Sequence, residues 1–211
     1  MNDALVTLLV GLLYTVMFGG LSLLRREGLS LRFAFEAVGL TLLVTVVIWV
    51  TGLALHPAIF FVLLYLVTMR VRILTDLGNM FAQRRKFPTA ERIYNLALSA
   101  GPDPASRIIV DVNRGTSLLQ QGQPDQAIQA FKQVLAHSGK GYLGIKYESA
   151  AHYNMAVAYE RKHMDAQAII EFNAVLDTWP ASIYARAAQK ALKRHQHPGG
   201  DPKPVPQDGK E

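Results

Sequence analysis

The sequence contains no cysteine, and this absence removes several classes of protein from consideration. None of its 211 residues is cysteine. Disulfide-stabilised folds, thiol catalysis and zinc sites built on cysteine are therefore excluded. The absence does not by itself identify a cellular compartment.

Charged residues are scarce in the first third of the chain. Up to Met69 the sequence has three basic and three acidic residues. From Arg70 onward it has 19 basic and 13 acidic residues, so the whole net charge of +6 belongs to the second part. Such a division between an apolar part and a basic, polar part predicts a membrane anchor followed by a soluble domain.

Two uncharged runs make up the predicted anchor, residues 1–69. Residues 4–24 form a helix long enough for a hydrocarbon core of roughly 30 Å. A cleaved signal peptide is not favoured, because its basic residues would precede the apolar run, whereas Arg25 and Arg26 follow it. Residues 37–69 are too long for one span and contain His56-Pro57 near the middle. We therefore predict three spans, at residues 4–24, 33–53 and 58–74.

Basic residues cluster at the two places that three spans would put on the same side of the membrane. These are residues 25–32 and residues 70–86, whereas the turn at His56 has no formal charge. The positive-inside rule then places the amino terminus outside and everything after the third span in the cytoplasm. The expected location is a multi-pass position in a bacterial inner membrane.

Small side chains recur every four residues in the first span, at Gly11, Thr15 and Gly19. They form one face on which another helix can approach closely. Two interpretations remain open at this point: packing within the anchor, and a contact with another integral membrane protein.

Internal repetition is the most specific feature of the second part. Three times, a small alanine is followed by an aromatic residue four positions later and by a small or branched apolar residue after three more. The three sets are Ala90/Tyr94/Ala97, Ala127/Phe131/Val134 and Ala168/Phe172/Val175. These positions share one helical face, so each set predicts a helix that packs closely against a neighbour.

A second amphipathic helix precedes each alanine, and together the positions resemble the tetratricopeptide repeat family. In the first repeat the matching residues are Leu74, Leu77, Gly78, Phe81, Ala90, Tyr94, Ala97 and Pro102. The second repeat departs from the family pattern at Asp111 and Arg114, and the third at His152. The alanines lie 127 − 90 = 37 and 168 − 127 = 41 positions apart, whereas the repeat of the family has about 34 residues. The extra residues of the second spacing fall in a glycine-rich loop at residues 138–144.

The resemblance implies a short superhelix of helical repeats. Together with the three predicted transmembrane helices that precede it, this gives an all-α fold. The predicted repeat domain covers residues 70–195, with repeats at 71–104, 108–141 and 149–182 and a closing helix at 181–195. Residues 196–211 contain four prolines in sixteen residues, so we predict a disordered tail there.

The resemblance also implies a concave face, lined mainly by the first helix of each repeat, that binds peptides or other proteins. Amide side chains suit this role because one amide can both donate to and accept from an extended backbone. The candidate binding residues are Arg72, Asn79, Asn113, Thr116, Gln120, Tyr153, Asn154 and Arg161.

No residue pattern indicates catalysis, a metal site or a cofactor, so we do not expect an enzyme. Neither Glu148 and His152 nor His195 and His197 are joined by further ligands at a fixed spacing. The basic residues at 84–86 lie where lipid headgroups are nearer partners than nucleic acid.

Two functions follow as hypotheses. The first is a protein–protein adaptor or scaffold at the cytoplasmic face of the membrane. The alternative is a subunit or assembly factor of a larger complex of integral membrane proteins.

Because residues 58–77 contain neither glycine nor proline, one continuous helix is expected to join the third span to the repeats.

Overall fold

A computed structural model describes residues 3–24, 31–53, 55–136 and 144–196. Every regular element in these ranges is an α-helix. The ten helices are α1 (Asp3–Leu24), α2 (Leu31–Thr51), α3 (Pro57–Thr68), α4 (Arg70–Gln83), α5 (Phe87–Ser99), α6 (Pro104–Gln120), α7 (Pro124–Leu135), α8 (Ile145–Arg161), α9 (Asp165–Thr178) and α10 (Ile183–Gln196). The predicted all-α class is confirmed.

Helices α1, α2 and α3 pack together as an apolar unit. Their contact is centred on Tyr14, Ala37, Phe60 and Leu64, each at most 2% exposed. The outer surface is also apolar, with large side chains such as Trp49 exposed. An apolar outside of this extent is typical of a helix unit that faces lipid rather than water.

Two of these helices are long enough and apolar enough to cross a membrane, namely α1 and α2. Helix α3 has only 12 residues, which corresponds to about 18 Å and is shorter than a bilayer core. It reaches the length of a span only when it is counted together with α4, from which it is bent by 70°. The third span therefore stays a prediction.

The expectation of one continuous helix through residues 58–77 is wrong. The chain turns by 70° between α3 and α4, at Met69. No glycine or proline causes the turn; instead, Arg70 Nη1 donates to the Val67 carbonyl at 2.7 Å, and its guanidinium reaches Glu36 of α2. A side chain that inserts at the end of the helical hydrogen-bond ladder is a known cause of such bends.

The second part consists of three antiparallel helix pairs and a closing helix. Helix α4 packs with α5, α6 with α7 and α8 with α9, while α10 covers the last pair. The predicted packing face is confirmed, because each of its alanine, aromatic and branched positions is at most 2% exposed. The first helices α4, α6 and α8 also contact one another in order along the array.

The close approach within a pair depends on the smallest side chains. A Cβ atom at Gly78 would lie 2.5 Å from Tyr94 Cε1, and one at Gly115 would lie 2.7 Å from Phe131 Cε1. In the first two pairs, α4 with α5 and α6 with α7, the helices therefore approach in the same way, with an aromatic ring packed over a glycine.

The turn between the two helices of each pair is also repeated. Arg85, Gly122 and His163 have φ values of 56°, 76° and 56°, in the left-handed region that favours glycine. After each of them, the next residue donates its N–H to a carbonyl five positions earlier, for example Gln123 to Leu118 at 3.0 Å. This pair of features is the Schellman ending of a helix.

Two predicted segments lie largely beyond the described residues. Residues 138–143 of the predicted loop are not described, and neither are residues 197–211 of the predicted tail. Gln196, where that tail was predicted to begin, is the last residue of α10.

Candidate functional site

A cavity of about 390 Å³ lies on the side of the array formed by the first helices and α10. We call it the concave groove. Its lining residues are Arg72, Asp76, Asn79, Ile109, Val112, Asn113, Thr116, Lys146, Tyr147, Ala150, Asn154 and Tyr184. Five of the eight predicted binding residues are therefore brought together here, from the first helices α4, α6 and α8 of the three pairs.

Three asparagines stand along the groove, and each is held by a bond that uses only part of its amide. Asn79 Oδ1 accepts from the Tyr94 hydroxyl at 2.7 Å. Asn113 Nδ2 donates to the Ile109 carbonyl at 2.7 Å. Asn154 Nδ2 donates to Thr116 Oγ1 at 3.3 Å. An amide offers two donor and two acceptor positions, so each side chain is oriented and keeps capacity for a ligand backbone.

The remaining three predicted residues do not line the groove. Gln120 is exposed at the last position of α6. Arg161 donates to the Leu119 carbonyl at the end of the preceding first helix. Tyr153 packs against the rings of Phe172 and Tyr184, with centroids 5.8 and 5.7 Å away. Burial among these rings raises the pKa of the Tyr153 hydroxyl.

Several lining residues were missed by the sequence reasoning. Lys146, Tyr147 and Ala150 come from the first two turns of α8, and they precede the signature positions from which the candidates were chosen. Tyr184 belongs to the closing helix, which was interpreted only as a cap. A helical-period count extended two turns back from Asn154 would have found Ala150 and Lys146, since they stand four and eight positions earlier.

The groove carries a small excess of positive charge. Among its lining residues Arg72 and Lys146 are basic, whereas Asp76 is acidic. Burial also raises the pKa of the Tyr184 hydroxyl, so this group remains an uncharged hydrogen-bond donor in the groove at neutral pH. The arrangement fits a polar, extended ligand better than a strongly anionic one.

The small-residue face of α1 divides into two parts in the structure. A Cβ at Gly11 would lie 2.1 Å from Thr41 Oγ1, so α2 covers this position. Thr15 Oγ1 donates to the Gly11 carbonyl at 2.8 Å. At Gly19 a Cβ would meet no atom within 4 Å. The first part thus packs inside the N-terminal unit, and the last part stays open.

Part of the repeat array matches a known protein family. A model described as "Tetratricopeptide repeat" matches residues 112–183, from the third turn of the groove-lining α6 to the start of α10. Residues 112–183 are therefore similar to the tetratricopeptide repeat family. No curated protein and no solved structure matches it.

The tetratricopeptide match and the geometry agree, and the geometry extends further along the chain. Helices α4 and α5 lie before the matched residues, yet their Gly78–Tyr94 approach resembles the Gly115–Phe131 approach within them. Tetratricopeptide repeats generally bind protein or peptide partners.

Proposed function

We propose that this protein is an adaptor that holds a protein partner at the cytoplasmic face of a bacterial inner membrane. The concave groove takes an extended segment of that partner. The observation that carries the proposal is the row of Asn79, Asn113 and Asn154 in one cavity, with each amide oriented by a bond. Such a row matches the alternating N–H and C=O groups of an extended chain.

The membrane placement is supported by the apolar N-terminal unit and by the distribution of charge. Among the described residues, Arg32 lies at the start of α2 and Arg70 lies just after α3, while the turn at Gly52 and Leu53 carries no charge. The positive-inside rule then favours a cytoplasmic array. Because the protein has no cysteine, single cysteines introduced by mutation report directly on topology.

The topology test uses Leu53→Cys and Gln129→Cys, two exposed positions. In intact cells a membrane-impermeant maleimide should label Leu53→Cys and should label Gln129→Cys only after permeabilisation. Labelling of Gln129→Cys in intact cells would reverse the proposed orientation.

The groove is tested by affinity capture of the full-length protein from membranes in mild detergent, followed by mass spectrometry. The groove variant is Asn113→Ala/Asn154→Ala. Its matched control is Asn95→Ala/Asn173→Ala, since Asn95 and Asn173 are exposed on second helices. We expect the groove variant alone to lose a partner while both variants keep the wild-type circular dichroism spectrum. Equal capture by all three proteins would remove the groove as the site of contact.

The alternative function is a subunit or assembly factor of a membrane complex. The open space at Gly19, and likewise at Gly39 of α2, supports it, because helices of another membrane protein approach best at glycine. Under this alternative, the wild type and both asparagine variants capture the same integral membrane proteins in fixed ratio.

A further inference from the structure

A second cavity, of about 290 Å³, lies where the N-terminal helices meet the repeat array. Its walls come from the ends of α1, α2 and α3 that face the array, and from the beginnings of α4 and α6. We call it the junction cavity. It is distinct from the concave groove, although Arg72 and Ile109 line both.

One side of the junction cavity is apolar and belongs to the N-terminal unit. Phe18, Phe33 and Tyr65 line it, with the rings of Phe18 and Tyr65 5.7 Å apart. Gly19 lines the same side, and a Cβ there would meet no atom within 4 Å. This wall is thus continuous with the lipid-facing surface of α1 and has room for a hydrocarbon chain.

The other side is charged, and the described residues that line it carry an excess of one positive charge. Arg32, Arg70 and Arg72 line the cavity together with two carboxylates, Glu36 and Asp103. Glu36 accepts from Arg70 at 2.6 and 2.9 Å and from Arg32 Nε at 2.7 Å. A guanidinium carries five N–H donors, and the bond from Nε to Glu36 uses one of those on Arg32. The carboxylate therefore fixes the position of a cation that retains capacity to bind an anion.

We propose that the junction cavity binds an anionic phospholipid. The phosphate lies against Arg32 and Arg70, and the first part of one acyl chain lies along Phe18 and Gly19. This inference rests on the membrane placement proposed above, which puts these arginines at the depth of the lipid headgroups. The volume is near the lower limit for small-molecule sites, about 300 Å³, so it suits a headgroup and the start of a chain rather than a whole lipid.

The test uses the full-length protein, delipidated in mild detergent and titrated with dioctanoyl phosphatidylglycerol or dioctanoyl phosphatidylcholine under native mass spectrometry. We expect a saturable first binding event with the anionic lipid and only weak, unsaturated binding with the zwitterionic one. Gly19→Leu should abolish the saturable event by filling the apolar half of the cavity. Gly39→Leu is the matched control, since Gly39 also has open space around it but does not line the cavity.

A second pair of variants tests the charged half independently. Arg32→Gln removes one cation and leaves Glu36 paired with Arg70, so we expect roughly fivefold weaker binding of the anionic lipid. Arg92→Gln, at an exposed position of α5, should leave binding unchanged. Equal affinity for the two lipids, or equal losses in each variant and its control, would overturn the proposal.

The remaining outcomes separate this site from the groove. The Asn113→Ala/Asn154→Ala protein should bind the anionic lipid like the wild type, because neither residue lines the junction cavity. If no lipid binds, but Gly19→Leu loses an integral membrane protein that the wild type captures, the cavity receives a protein helix and the lipid proposal is wrong. If the Asn113→Ala/Asn154→Ala protein loses its soluble partner but still binds the anionic lipid, the lipid proposal stands.

Discussion

Replacing Gly115 by alanine sets two effects of opposite sign against each other. In a helix interior alanine is more favourable than glycine by about 0.8–1.0 kcal/mol. The added Cβ, however, would lie 2.7 Å from Phe131 Cε1 and 2.9 Å from its Cζ. Contacts of this length require the ring to move, and Phe131 is 0% exposed within the main core. Over-packing of a core costs about 1–3 kcal/mol, so we expect Gly115→Ala to lower the free energy of unfolding by about 1 kcal/mol.

The assay is urea unfolding of the full-length protein in mild detergent, followed by circular dichroism. A double-mutant cycle with Phe131→Leu isolates the contact, because a smaller side chain makes room for the Cβ. In that background Gly115→Ala should become neutral or stabilising, with a coupling energy of about 1 kcal/mol or more. A stabilising effect of Gly115→Ala with Phe131 in place would contradict this expectation, since helix propensity alone would then decide the outcome.

Three further predictions concern turns, burial and the junction. At the helix-pair turns, Gly122→Ala should destabilise by about 1 kcal/mol and Arg85→Gly should be neutral or stabilising in thermal melts, because both positions have positive φ. Burial raises the pKa of Tyr94 to about 12. The contribution of its neutral hydroxyl to the free energy of unfolding should therefore be fully present below pH 10 and be lost between pH 10 and 12. Unfolding measured as a function of pH should show a smaller loss for Tyr94→Phe. Glu36→Gln removes the carboxylate that holds Arg70, so amide hydrogen exchange at the start of α4 should accelerate; an unchanged rate would show that packing alone fixes the bend.

Five of the eight predicted binding residues line the groove because the signature positions from which they were chosen recur at helical spacing on one face. The helical period also explains why Tyr153 does not line the groove. Consecutive residues of a helix are about 100° apart, so the neighbour of Asn154 points into the core, where it meets Phe172 and Tyr184. Arg161 lies outside the groove for a different reason. Its long side chain reaches a carbonyl of the adjacent helix, and this contact depends on how the helices stack.

The bend at Met69 shows a limit of local sequence information. Residues 58–77 contain no helix-breaking residue, and the backbone bonds continue on both sides, from Met69 N–H to Tyr65 and from Ile73 N–H to Met69 at 2.9 Å each. The Arg70 side chain at the turn is bonded to Glu36, which lies 34 positions before it. No residue within 58–77 indicates that Arg70 will pair with Glu36.

The sequence by itself determined the apolar and polar division of this protein, its helix pairs and the faces on which they pack. These features follow from hydrophobicity and from the 3.6-residue period, which act over a few neighbouring positions. Only the tertiary structure decided the bend between α3 and α4, the two cavities, and the residues that α8 and α10 add to the groove. They depend on side chains far apart in the chain, whose meeting is fixed by the packing of whole helices.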